Sequence, residues 1–291
     1  MPTAGKDTLR AILRRGRELL AQTERPEDCD ADFEAFLLLQ KVFSVTRGDY
    51  PLKADTVPAS TLQAEYEALL RRRLAGEPVQ YLLGEWEFWG LPFAVGPGVL
   101  IPRPETELLA EAALCTLQDV SAPSVLELCG GSGCLAVTLA HERPDAHITT
   151  VELSPQALPY LRQNVARNRC PNIRIIEGDA LRPAELLLGE GYQLILSNPP
   201  YIESTLLPDL QREVQFEPSL ALDGGIDGLT FYRQFLTLYP RCLLSGGTMA
   251  FEIGETQGAA VAALMREAGL TGVTIFQDLS HLDRVVLGIR P

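Results

Sequence analysis

Val125-Leu126-Glu127-Leu128 runs directly into Cys129-Gly130-Gly131-Ser132-Gly133-Cys134, and then into the apolar stretch Leu135–Ala140. A β-branched and leucine-rich run, a glycine turn and a helical run form the unit in which a ligand can approach the backbone closely, against a helix N-terminus. Glycines also serve merely to tighten a strand-to-helix turn. The next run favours a binding role. Ile148–Val151 reads as a second strand and ends in Glu152, 19 residues beyond Gly133, and Ser154-Pro155 then opens a helix. A carboxylate at that edge of a sheet can accept hydrogen bonds from both hydroxyls of a ribose.

The same alternation continues outward from this unit. Strands are expected at Val125–Leu128, Ile148–Val151, Ile173–Glu177, Leu194–Ser197, Thr248–Ile253, Val273–Gln277 and Arg284–Ile289, with helices at 133–141, 154–168, 229–239 and 256–268. Strands alternating with helices specify an α/β domain with a mostly parallel, doubly wound sheet. Upstream, Trp86, Phe88, Trp89, Leu91, Phe93 and Val95 surround Gly90, Gly96 and Gly98, the texture of a short hairpin linker over residues 84–103. Residues 1–83 show only helical spacing. One run holds Leu9 to Leu20 and breaks at Pro26, a second starts near Phe33, and a third follows a Ser60-x-x-Gln63 capping box and reaches Leu74. The division expected is a helical bundle at 1–83, the linker, and an α/β domain at 104–291. Arg71, Arg72 and Arg73 read as a solvated face near a helix end.

The 291 residues carry a net charge of −13. Residues 1–83 hold 12 basic and 13 acidic side chains, so nearly all the excess acid lies in residues 84–291. That charge disfavours sequence-independent binding to a phosphate backbone. Six cysteines, Cys29, Cys115, Cys129, Cys134, Cys170 and Cys242, contain no CxxC pair and accompany only three histidines, so reduced thiols are expected and a metal site is not. No signal-peptide core or membrane-length apolar run is present. A soluble cytoplasmic protein is expected.

Two cofactor classes suit the glycine turn. A dinucleotide needs room for its pyrophosphate and usually a G-x-G-x-x-G turn, where this chain has Gly130-Gly131-Ser132-Gly133-Cys134-Leu135. S-adenosylmethionine has no phosphates, and the pattern favours it. Asp179, after Gly178 at the end of the third strand, adds a carboxylate able to accept from an adenine amino group.

The fourth strand ends in Asn198-Pro199-Pro200-Tyr201. Two prolines fix φ, remove two donors and leave their carbonyls as acceptors in a stiff loop. A planar NH2 group can give one hydrogen to the Asn198 side-chain oxygen and the other to the Pro199 carbonyl, with the Tyr201 ring packed on its face. Acceptors on both hydrogens raise the electron density of a poorly nucleophilic amide nitrogen, and alignment supplies the rest.

These residues resemble the HemK/PrmC family, the peptide chain release factor glutamine methyltransferases. The likeness also rests on Gly76-Glu77-Pro78-Val79-Gln80-Tyr81-Leu82, on Ile101-Pro102-Arg103-Pro104-Glu105-Thr106-Glu107, on Glu217-Pro218-x-x-Ala221-Leu222-x-Gly224-Gly225-x-Asp227-Gly228 and on Asp283-Arg284-Val285-Val286. It implies a seven-stranded Rossmann-like class I methyltransferase sheet, its last strand antiparallel, behind an N-terminal helical bundle that docks release factors. It implies S-adenosyl-L-methionine as methyl donor, S-adenosyl-L-homocysteine as product, and class I release factors as substrates of a monomeric enzyme. Carried onto this chain, cofactor contacts fall on Cys129, Gly130, Gly131, Ser132, Gly133, Glu152, Asp179, Ala180 and Asn198. Substrate contacts fall on Asn198, Pro199, Pro200 and Tyr201, with Asn198, Pro199 and Tyr201 in the catalytic role. Arg103, Glu105 and Thr106 are expected to line or brace the pocket. Cys129 stands where the family usually has glycine, and Glu152 where aspartate is commoner. The Asn-Pro-Pro-Tyr motif alone is shared with adenine-N6 nucleic-acid methyltransferases, the alternative activity, against which the acidic charge counts.

Overall fold

The computed structural model describes residues 7–22, 30–183 and 191–291. The chain separates into two units: residues 1–84 with 211–216, and residues 85–210 with 217–291. A single cut does not divide it, because a short return of the chain after Leu210 belongs with the helices. The expected break at Pro26, and Cys29, lie outside the described residues.

The first unit is helical, with helices Leu9–Ala21, Ala31–Phe43 and Ser60–Leu74 and shorter turns Tyr50–Lys53 and Val79–Leu83. Thr8 caps the first helix by accepting from the Ala11 amide, and Asp30 caps the second through the Asp32 and Phe33 amides. Ile12, Leu13, Leu20, Leu38, Leu39 and Tyr66 are sealed from solvent between them. The Tyr66 hydroxyl donates to the Ala35 carbonyl at 3.0 Å, and Gly16 leaves room for that ring. Two sequence expectations fail here. Ser60 is the first helical residue and Ala59 the cap position, without a side-chain hydrogen bond, so the capping box does not form; Gln63 pairs instead with Glu67. Arg73 is not on a solvated face. It is buried, with Glu34 and Glu213 each 2.9 Å away, whereas Arg71 and Arg72 are exposed. Consecutive helical residues point about 100° apart, so a run of three arginines must place members on different faces.

The second unit opens with the hairpin β1 (Glu85–Phe88) and β2 (Leu91–Ala94). Trp89 and Gly90 form its two-residue turn, both with positive φ (55° and 69°), the geometry that matches strand twist. Seven strands then build one sheet: β3 (Ser124–Leu128), β4 (His147–Glu152), β5 (Ile173–Glu177), β6 (Tyr192–Ser197), β7 (Leu243–Glu252), β8 (Thr271–Gln277) and β9 (Asp283–Ile289). Their order is β5-β4-β3-β6-β7-β9-β8, and only β9 runs against its neighbours. The α/β sheet with an antiparallel last strand is the one expected. Central strands are buried on both faces, which explains their unbroken apolar runs. Val125, Leu194, Leu196 and Ala250 join one core layer with the helices Thr106–Leu117 and Cys134–Glu142; Leu126, Ile195, Met249 and Phe251 join the other with Tyr232, Phe235 and Val261. Asn164, fully buried, exchanges hydrogen bonds with the Ala94 backbone and donates to the Ser132 carbonyl, joining the hairpin to the glycine turn.

Candidate active site

The strand order reverses between β3 and β6, and at such a switch point a crevice opens beyond the carboxyl ends of the strands. Leu128 pairs with Ser197, so the glycine turn and the Asn-Pro-Pro-Tyr loop leave the sheet side by side. The Ser197 hydroxyl donates to the Leu128 carbonyl at 2.6 Å and fixes the two strand ends together.

Cys129 takes φ 61° and Gly131 φ 54°, and the Gly130 amide donates to the Val151 carbonyl at 2.9 Å. At Gly133 (φ 81°) a Cβ would lie 2.4 Å from Leu161, so glycine alone fits there. Glu152 is buried and grips both sides of the crevice: Oε2 accepts from the Gly131 amide at 2.7 Å and Oε1 from the Ser154 amide at 2.6 Å. Each oxygen keeps a second lone pair for a ligand hydroxyl. Asp179 accepts from the Leu181 amide at 2.8 Å, and the Ala180 carbonyl accepts from the Tyr239 hydroxyl. Burial and the Glu152 charge push the Cys129 thiol well above its ordinary range, so it stays protonated.

The Asn198 carboxamide is held from one side, its Nδ2 donating to the buried Thr106 hydroxyl at 3.2 Å. Pro199 and Pro200 are buried and Tyr201 half-buried; burial raises the Tyr201 phenol, which is therefore neutral. The segment Ile101–Glu107 braces and does not line. Glu217 accepts from the Ile101 amide at 3.0 Å and pairs with Arg103, and Thr106 holds Asn198. A Cβ on Gly224 or Gly228 would sit within 3 Å of the Tyr201 backbone, so the glycines of the Glu217–Gly228 motif pack against the Asn-Pro-Pro-Tyr loop. Gln257 closes that loop by donating to the Tyr201 and Gly228 carbonyls. No sequence signal pointed to Gln257, which stands on a separate helix start.

A cleft of about 700 Å³, counted with its open mouth, lies at this edge. Among the expected site residues, Cys129, Gly131, Glu152, Asp179, Ala180, Asn198 and Pro200 line it. Gly130, Ser132 and Gly133 shape the turn behind it, and Pro199 and Tyr201 are outside the lining. Leu100, Leu153 and Phe231 line it without any sequence signal, and Ser154 and Pro218, expected only as a helix start and as part of a motif, line it as well. The lining contains two carboxylates and no lysine or arginine. That charge suits a cofactor with ribose hydroxyls, an amino-bearing base and positive charge.

Known proteins bear the same pattern. The family description "PrmC N-terminal domain" matches residues 11–84, and "Methyltransferase small domain" matches residues 105–210. A release factor glutamine methyltransferase of Vibrio cholerae is 38% identical over 273 residues, 93% of this chain and 94% of that protein. The chain belongs to the release factor glutamine methyltransferase family. A second member, from Neisseria gonorrhoeae, is 41% identical, covering 88% of this chain and 92% of its own. The fold extends more widely. The T. thermophilus 16S rRNA N2 G1207 methyltransferase, solved with AdoMet and guanosine, overlays 71% of this chain and 50% of its own with a TM-score of 0.52 at 18% identity.

Proposed function

We propose that this chain transfers the methyl group of S-adenosyl-L-methionine to the side-chain amide nitrogen of the glutamine in the Gly-Gly-Gln motif of class I release factors, supporting translation termination. The observation that carries the reading is the side-by-side exit of the glycine turn and the Asn-Pro-Pro-Tyr loop at the switch point, in a chain related over nearly its whole length to release factor glutamine methyltransferases. Glu152 would hold the ribose, Asp179 the adenine amino group, and the backbone of the 129–133 turn the remainder of the cofactor. When bound, the cofactor supplies an electrophilic methyl group on sulfur.

The protein's own work is alignment. Asn198 Oδ1 and the Pro199 carbonyl take the two hydrogens of the target amide, which fixes its plane and draws electron density onto nitrogen as it attacks. Tyr201, neutral and packed against Gly224 and Gly228, holds the loop in place. The nitrogen's proton passes to solvent after transfer. The helical unit, which carries the match to the PrmC N-terminal domain, docks the release factor in this reading.

Incubation with methyl-labelled S-adenosylmethionine, offering release factor and DNA in parallel, tests the reading. Label is expected in the release factor, at the Gly-Gly-Gln glutamine. Label in DNA alone, the adenine-N6 outcome, or in neither, overturns it.

A further inference from the structure

Glu252 is the last residue of β7 and is 2% exposed. Ser197 pairs with Phe251 across β6 and β7, so the next residues along, Asn198 and Glu252, leave the sheet as neighbours. The Oε2 atom of Glu252 is sealed from water and has no hydrogen-bond partner among the described residues. An orphaned carboxylate oxygen beside a reacting loop costs stability, and such groups recur where function requires them. The Thr106 hydroxyl and the Asn198 carboxamide stand close enough to it to favour its ionised form. Thr106 also accepts from Asn198.

We propose that Glu252 is a positioning residue for methyl transfer, acting through Thr106 to fix which end of the Asn198 carboxamide faces the target amide. The inference rests on the functional reading above. An ionised carboxylate only accepts. It therefore takes the Thr106 hydrogen, which turns the hydroxyl lone pairs toward Asn198 Nδ2 and leaves Oδ1 for the substrate. A protonated Glu252 donates to Thr106 instead, the hydroxyl reverses, and the carboxamide loses its fixed sense. Burial lifts the Glu252 carboxyl to about 7, within the range where this matters. The groups facing it are Glu105 at the start of the helix Thr106–Leu117, Arg284 on β9, Tyr201 after β6, Tyr232 on the helix Thr230–Leu238 and Cys134 at the start of its helix. Among them only Arg284 is cationic and favours ionisation.

The test is a double-mutant cycle read by single-turnover methylation of release factor at saturating cofactor, between pH 6 and 9. Glu252→Gln and Thr106→Val should each slow transfer about tenfold, with cofactor affinity within twofold of wild type. In an Asn198→Ala background either change should cost less than twofold, since the residue they orient is gone. The wild-type rate should rise with pH through an acid limb near neutrality that Glu252→Gln lacks. Full additivity in the Asn198→Ala background, or an unchanged pH profile in Glu252→Gln, overturns the proposal. Thr106→Val carries the same cycle if Glu252→Gln does not fold. A wild-type enzyme that labels DNA and not release factor defeats only the functional reading, and the cycle is then read on the DNA label.

Discussion

Asn198 and Thr106, 92 residues apart in the chain, are joined by a 3.2 Å hydrogen bond from the carboxamide to the hydroxyl. Thr106 belongs to the Ile101–Glu107 segment, which Glu217 anchors through the Ile101 amide. The loop that would hold the target amide is thus fixed from behind by a stretch of chain outside the cleft lining. This explains how so short a loop as Asn198–Tyr201 can be rigid enough to align a weak nucleophile.

Glu152→Ala should weaken S-adenosylmethionine binding at least tenfold, because charge-assisted hydrogen bonds contribute ~1.5–3 kcal/mol each. The side chain also holds the Gly131 and Ser154 amides, so the melting temperature should fall as well. Glu152→Gln, which keeps an acceptor, should lose less of both. Calorimetric titration giving an unchanged dissociation constant for Glu152→Ala removes the residue from the cofactor site.

The helical unit should depend on Arg73. Removing one partner of a buried ion pair costs ~3–5 kcal/mol, since the other charge is stranded. Arg73→Ala should therefore lower the denaturant midpoint strongly, because it takes the buried cation away from both Glu34 and Glu213. Arg72→Ala, whose partner Glu77 is reached from an exposed position, should change it little. Equal effects of the two substitutions would contradict the burial of Arg73.

Stability should decline as pH rises through the mildly acid and neutral range. Burial raises the Glu127 carboxyl from 4.5 to about 8, and Glu252 shifts the same way. Below the unfolded value both states are protonated; between the two values the folded chain keeps a proton that the unfolded chain has released. The stabilising contribution is thus complete below about pH 4.5 and is lost as pH rises through 8. Glu127→Gln should flatten the fall in melting temperature between pH 5 and 8. A wild-type profile that is level over this range would count against the buried carboxyl.

Cys129→Gly addresses the departure in the glycine turn. A non-glycine residue at φ 61° is strained by ~1–2 kcal/mol, partly offset by the ~0.5–1 kcal/mol of chain entropy that glycine costs. A stability change within about 1 kcal/mol is expected, with cofactor affinity equal or better because a side chain leaves the cleft. A clear loss of affinity would show that the thiol contributes to the site.

Much of this architecture was legible before any coordinates. Unbroken apolar runs marked strands buried on both faces, and Gly130–Gly133 with Glu152 marked the switch-point crevice. Local pattern failed where the partner is distant. Three consecutive arginines look alike until the packing of Glu34 and Glu213 selects Arg73 for burial. Ser60 has the right spacing for a cap, yet the cap position falls one residue earlier, at Ala59, and Ser60 is already helical. Glu217 reaches Ile101 and Gln257 reaches Tyr201 across 116 and 56 positions, separations at which no periodicity survives. Glu252 reads merely as the end of an apolar strand, because its significance lies in what stands beside it.

The most direct test is the single-turnover rate of release factor methylation by Asn198→Ala at saturating S-adenosylmethionine. Loss of the acceptor strands a desolvated amide hydrogen, a penalty of ~1–3 kcal/mol before any gain specific to the transition state. With the transition-state loss added, the rate should fall about 100-fold or more. Cofactor affinity should change far less, because the glycine turn and Glu152 are intact. A rate matching that of the unmodified enzyme would mean that Asn198 does not hold the target amide.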